Sequence, residues 1–572
     1  MPASYSLIFA FVAVVGYALY RAALPRPIKG IPYNTKSARR ILGDLPDLLR
    51  WKNELGNAFG YFPWLAQETS SPIVQVFLRP FGGKPWVIVV DPRESHDIMT
   101  RRYVEFDRSH FFGETMKAMG PEFHAHFPTG QEWSAHRRLI GDTMSAGFLH
   151  NVAGRQMWKV MKTVVQLWRE KARLAGEHSF DAAEDIKRAA LDIIWSATFG
   201  SETGTVQAQY ELLKGVEHVD LPPNVETPIV LPVAADPQAC TSIVAVMNSI
   251  RIPLNSLLPQ FHHWFALKFY PSLVAAGRHK DEMIGSALKA AEHKFSNQNL
   301  EDDVPSTAGL ESAVDLVIAK EIKLAQKEGR VPVVDSQTIR DELFGFMLGG
   351  YETTSTNACW GVKFLIKHQD VQDKLRQALR FGFTRASQTG ESPTIEEITS
   401  ISIPYLDAVI SEVLRCSIAA LAAIRVTTTD VQILGHLVPK GTDVFLVNNG
   451  PGKLMEPIHV EEARRSNTSR EAKSRTGDWD SSDISSFKPE RWLTTEEGGE
   501  KYDPLAGPSH PFGAGPRGCF GRKWALLEMR IIFVLTFWNF ELLPTPESLS
   551  SWRVGEQNQA VQTYLKLHCI NT

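Results

Sequence analysis

The most chemically suggestive residues form one run near the C-terminal end, FGAGPRGCFG, from Phe512 to Gly521. A cysteine acts as a nucleophile or metal ligand only as its thiolate. Glycines 513, 515 and 518 let the backbone turn tightly and come close to a flat ligand. A helix running through Leu526 and Arg530 is expected to begin at Cys519, where unpaired amides and positive partial charge stabilise a thiolate. Gly521 leaves room for a porphyrin edge, and the Arg517 guanidinium suits a carboxylate there. Thiolate ligation pushes electron density onto iron and favours O–O cleavage. A buried cysteine in a glycine-rich turn is the plainer reading. The same glycines also satisfy GxGxxG, with Glu541 downstream, but a dinucleotide site needs a buried strand directly before the first glycine. The preceding LAGPSHPF is interrupted twice by proline and cannot be that strand.

Three other segments carry side chains with possible roles. Glu412 and Arg415 stand three apart on a helical face, amid Leu406, Val409, Ile410, Val413 and Leu414. FKPERW supplies Arg491 further on, so a buried Arg–Glu–Arg network is expected; breaking such a pair costs about 3–5 kcal/mol. In Leu348-Gly-Gly-Tyr-Glu352-Thr353-Thr354, adjacent glycines and threonines are poor helix formers set inside a long apolar helix. They predict a local opening of its hydrogen-bond ladder. Trp133 and Arg137 form WxxxR, which alone means little.

Taken together, these segments resemble the cytochrome P-450 family. FGAGPRGCFG fills every fixed position of its haem-binding loop FxxGxRxCxG. Glu412, Arg415 and PERW match its structural lock, LGGYETT its [AG]GxxT segment, and Trp133 with Arg137 its WxxxR helix. The resemblance implies the P-450 fold and haem b, with iron held by Cys519 and the group further contacted by Phe512, Gly515, Arg517 and Gly521. It implies that Trp133, Arg137 and Arg425 approach the haem propionates. Glu352 and Thr353 would relay protons to dioxygen, which requires a positioned acid and a hydroxyl. Electrons would come from NADPH indirectly, through a flavoprotein reductase in the same membrane, with Arg138, Arg522 and Lys523 as docking charges. The matches run in order from Trp133 to Gly521. Two departures stand out: the usual proline after ExxR is replaced by CSIAALAAI, and the stretch between Asn448 and Phe487 is longer and more charged than usual.

The elements that must position these groups are mostly helical. Asn151 to Ala175, Phe180 to Phe199, Arg278 to Phe295, Ser336 to His368 and Glu396 to Cys416 carry apolar residues at helical spacing. Strand-like pieces are short: Ile73 to Leu78, Trp86 to Val90, Val431 to Leu434, Asp443 to Val447 and Phe540 to Leu543. The fold class is therefore mainly α with a small β-sheet region. The polar run from Glu461 to Asp483 reads as an exposed, mobile loop; its sequon at Asn467 would stay unmodified in the cytosol.

At the N-terminus an apolar run from Tyr5 to Tyr20 precedes Arg21, Arg26 and Lys29. It predicts a single membrane anchor over 1–20, a proline-rich hinge over 21–33 and a catalytic domain over 34–572, with that domain on the cytosolic side of the endoplasmic reticulum. A cleavable signal peptide is the rival, and no basic residue precedes the run. The 572 residues carry a formal charge of -3, which argues against nucleic acid as a partner. The low, odd cysteine count, with Cys240, Cys359, Cys416 and Cys569 beside Cys519, excludes a disulfide scaffold. By resemblance the substrate pocket is built from 106–127, 417–424 and 346–353. Its aromatic and aliphatic composition suits a small apolar substrate, and the pattern is that of fungal members serving secondary metabolism. Two other readings are a reductase-independent haem-thiolate isomerase or dehydratase, and a non-catalytic haem sensor.

Overall fold

Ser336 opens the longest helix: its hydroxyl accepts the Ile339 amide at 3.2 Å, and the helix runs from Gln337 to Lys367. The computed structural model describes residues 2–296, 309–417, 419–473, 477–497, 499–555 and 559–570. The long helix is buried among Ala183–Phe199, Pro404–Ser417 and Arg522–Asn539, which share one apolar core with it. Gly350 and Gly361 allow close approaches, since a Cβ would lie 2.7 Å from Ile194 Cδ1 at the first and 2.4 Å from Phe533 Cζ at the second.

To one side lies a five-stranded sheet ordered Ile73–Val76, Trp86–Val89, Asp443–Val447, Ala422–Thr427 and Phe106–Arg108. Only the second and third of these pair in parallel; the other neighbours are antiparallel. In the last pair Arg108 stands directly opposite Arg425. Smaller sheets join Phe540–Leu543 to Tyr564–Cys569, Val431–Ile433 to His436–Val438, and Leu493–Glu496 to Gly499–Tyr502. The architecture is mainly α with small sheets, as expected.

Several boundaries move, each for a local reason. The helix expected over 396–416 is two, Ile395–Ser400 and Pro404–Ser417, because Pro404 starts afresh where an amide is not needed. The one expected from Phe180 starts at Ala183, since Phe180–Asp181 pairs with Tyr564 and Leu565. Asn151 and its neighbours form a π turn, Leu149–Ala153, before the helix Gly154–Ala175.

The charged run from Glu461 to Asp483 is not a free loop. Its described residues include a 3-10 turn, Glu462–Arg464, and a short helix, Asn467–Glu471, and Arg465 and Ser469 are largely buried. Polar composition suggested solvent, but Arg465 pairs with buried Asp91, and Ser466 and Thr468 with buried Asp97. The N-terminal run does form a helix, Pro2–Ala23, whose Phe9, Phe11 and Val14 are exposed. No helix among the described residues is long and apolar enough to cross a membrane.

Candidate functional site

The helix bearing Thr353, the loop bearing Cys519 and the edge of the large sheet enclose a cavity of about 380 Å³. Of the residues singled out by sequence, Trp133, Arg137, Thr353, Arg415, Arg425, Phe512, Arg517, Cys519 and Gly521 line it. Glu352, Glu412, Arg491 and Gly515 do not.

Cys519 is held by its own amide, which donates to Phe512 O at 2.8 Å. The following helix begins at Arg522 with Gly521 at its cap, not at Cys519 as expected. Burial pushes the thiol pKa up, against the Gly521 amide and the nearby cations Arg137 and Arg522, which pull it down. A bound metal ion deprotonates such a thiol outright. Apart from its own chain neighbours, no atom of the described residues lies within 4 Å of where a Gly521 Cβ would stand, so protein packing alone does not call for glycine there. Gly515 works differently from expectation. Its φ is +67°, and a Cβ would lie 2.0 Å from Met99 O, so it serves a close approach between two protein segments.

Above the thiol edge four arginines converge. Arg517 donates to Phe127 O at 2.9 Å and stands over the Trp133 ring at 4.6 Å, while Arg137 stands over Trp133 and Phe520. Arg425 and Arg108 face each other across the sheet. Like charges placed opposite one another destabilise a sheet. Burial depresses Arg425 and Arg517 to about 10, and burial with the Arg517 and Arg425 charges holds Arg108 well below the usual guanidinium range. Arg517 Nε and Nη1 and Arg108 Nε are buried without a hydrogen-bond partner. Such a cluster calls for anions, and the two carboxylates of a haem, with its iron at Cys519, fit it. Arg108 was missed in the sequence because no motif marks it; only strand register puts it beside Arg425.

Thr353 projects its side chain at the cavity wall, and its hydroxyl donates to Gly349 O at 2.7 Å, the site of the expected weak point in the long helix. Glu352 turns away from the cavity toward Arg251, 3.5 Å distant. Asn357, one turn on, donates to Thr353 O at 2.8 Å. Below them Glu528 is fully buried, accepts from Trp524 Nε1 at 2.9 Å, and is pushed by burial to about 8, which keeps it protonated at neutral pH.

A further carboxylate anchors the helix Gln131–Leu139. Glu342, fully buried, binds His124 Nδ1 at 2.6 Å and His136 Nδ1 at 2.9 Å. The hydrogen bond to Glu342 raises the His136 pKa against the lowering effect of burial, with the Glu342, Glu122 and Glu132 charges adding to the rise, which favours the imidazolium form beside these acids.

Behind the cavity, fully buried Glu412 collects five hydrogen bonds. Two come from Arg415 at 2.7 and 2.8 Å, and one each from Arg491 Nε at 3.1 Å, Trp492 Nε1 at 2.9 Å and the Lys488 amide at 2.8 Å. Arg415 in turn donates to Lys453 O, Ile484 O and Ser486 O. The Trp479 ring lies against both guanidiniums.

The expected substrate walls are present in part. Phe112 and Phe123, Ala419 to Ala423 except Leu421, and Phe346, Gly349, Gly350 and Thr353 contribute, joined by Ile194. Phe111 packs instead on Trp86 and Phe445, and Met119 enters the main core. Ile418 lies outside the described residues.

The family model described as Cytochrome P450 matches residues 42–450 and 482–559. A cytochrome P450 monooxygenase of Pestalotiopsis microspora is 42% identical, covering 96% of this chain and 95% of the relative. One from Fusarium sporotrichioides is 35% identical over 94% of each, and one from Penicillium crustosum 32% identical over 93% and 90%.

Proposed function

The chain belongs to the cytochrome P450 family and is a monooxygenase of it, and from that premise we propose a haem-thiolate enzyme that inserts one oxygen atom into a small, largely apolar molecule in fungal secondary metabolism. The observation that carries this reading is the convergence of Cys519, the arginine cluster and Thr353 on a single cavity. Cys519 would ligate the iron; Arg108, Arg137, Arg425, Arg517 and Trp133 would hold the carboxylates. The bound haem supplies activation of dioxygen by a thiolate-ligated iron.

The chain's own groups do the rest. Glu352, beside Arg251 on the outer side of the helix, takes up a proton from solvent. Thr353 donates its own Oγ1 proton inward at the cavity wall and regains that one in exchange. Phe112, Phe123, Ile194 and the alanine run exclude water and favour a lipid-like, terpenoid or polyketide-like skeleton. Arg138, Arg522 and Lys523 are exposed and supply the positive charge that steers an acidic reductase. The exposed apolar side chains of Pro2–Ala23 suit a single membrane anchor, and those of Leu257, Phe261 and Trp264 a second contact with the bilayer.

Electron supply separates this reading from a reductase-independent isomerase. Under carbon monoxide without oxygen, NADPH should reduce the haem only when a flavoprotein reductase is present. Reversing the charges of Arg522 and Lys523 should slow that step and flatten its salt dependence. Turnover of substrate with no reductase would count against the proposal.

A further inference from the structure

The family match breaks off at residue 450 and resumes at 482, and the intervening stretch carries the charged run that folds onto the protein. We propose that its residues 461–473 act as a clasp that fixes the thiolate loop, with Arg465 as the positioning residue. The inference rests on the thiolate reading of Cys519.

The clasp grips one short helix, Pro92–Thr100. Arg465 meets Asp91 through both ends of its guanidinium, Nη1 to Oδ1 at 2.7 Å and Nη2 to Oδ2 at 2.8 Å. The two side chains are only 9% and 8% exposed, so the pair is shielded from salt and water. Asp91 is also the cap of that helix, accepting the Glu94 amide at 2.7 Å. The hydroxyls of Ser466 and Thr468 both donate to Asp97 Oδ2, at 2.7 and 2.8 Å, and Asp97 is fully buried. Arg93 and Glu462 close the outer edge at 2.6 Å.

The gripped helix bears directly on the thiolate loop at two points. His96 stacks on His510 with ring centres 4.9 Å apart. Met99 O lies so close to Gly515 that a Cβ there would be at 2.0 Å. His510 O and Phe512 O then accept the amides of Gly513 and Cys519, at 2.9 and 2.8 Å. A shift of the helix therefore moves Gly515 and, through the loop's own hydrogen bonds, the sulfur. Outer contacts that orient a ligand commonly tune how firmly it holds its metal.

The test uses full-length holoprotein with Arg465→Gln, with Ser466→Ala plus Thr468→Ala, and with Arg465→Gln combined with Asp91→Asn. The last restores a neutral amide pair in the same place. For each, haem content, circular dichroism and the time course of the reduced carbon monoxide spectrum are recorded. The expected result is unchanged haem content, with a several-fold faster loss of the thiolate-type band in the first two and a slower loss in the third. An unchanged decay in folded variants overturns the clasp, as does a fall in thermal stability with no change in that band. A variant too unstable to load haem leaves the hydroxyl pair to decide. Wild-type protein with no thiolate-type band would defeat the reading of Cys519 instead, so the two failures are distinguishable.

Discussion

Replacing Glu412 with glutamine should leave almost no soluble, haem-loaded protein. The carboxylate is fully buried and takes hydrogen bonds from Arg415, Arg491, Trp492 and the Lys488 amide. An amide of the same shape can accept some of these, but it cannot balance two buried guanidiniums. One partner removed from a buried pair costs about 3–5 kcal/mol, against a total stability of about 5–15 kcal/mol for a typical domain. Loss spreads further, because Arg415 also ties down Lys453 O, Ile484 O and Ser486 O, the entry to the segment carrying Arg491. The yield of soluble holoprotein and its thermal midpoint measure this. A variant matching wild type in both would show the hub to be dispensable.

The second large effect is on chemistry, not folding. Thr353→Ala should leave the fold intact, because alanine is the better helix former and the hydroxyl donates to Gly349 O on its own helix, tying no second element to it. Without the hydroxyl, the cavity wall has no proton donor at that point. A positioned donor contributes roughly 10²–10⁴-fold, so product per NADPH consumed should fall about a hundredfold while NADPH oxidation continues and peroxide accumulates. The comparison uses a compound that shifts the wild-type Soret band and is converted by it. An unchanged product yield would remove Thr353 from proton delivery.

How much of this was visible in the sequence depended on how local the constraint is. The Cys519 loop, Glu412 with Arg415, and the Ser336 start of the long helix were legible, because their residue types and spacings are set by chemistry within a few residues. The arginine cluster was legible only in part. Arg517 and Arg137 sit in motifs and Arg425 was placed by resemblance alone, whereas Arg108 joins them through a cross-strand register that no local pattern reveals. The charged run at 461–483 was misread for a similar reason: Arg465, Ser466 and Thr468 look like solvent-facing residues until Asp91 and Asp97, far away in the chain, are packed against them. Glu342 and Glu528 are likewise ordinary helix residues in sequence and buried, partnered carboxyls in the fold. Gly515 was given a role toward a ligand, and its neighbour proved to be Met99.

The central claim is that Cys519 ligates haem iron as a thiolate. Full-length protein in detergent, reduced and exposed to carbon monoxide, should show a strongly red-shifted Soret band, and Cys519→Ala with the same circular dichroism should lack it. A wild-type band at the shorter wavelength of histidine- or thiol-ligated haem, or the same red-shifted band in Cys519→Ala, would contradict it.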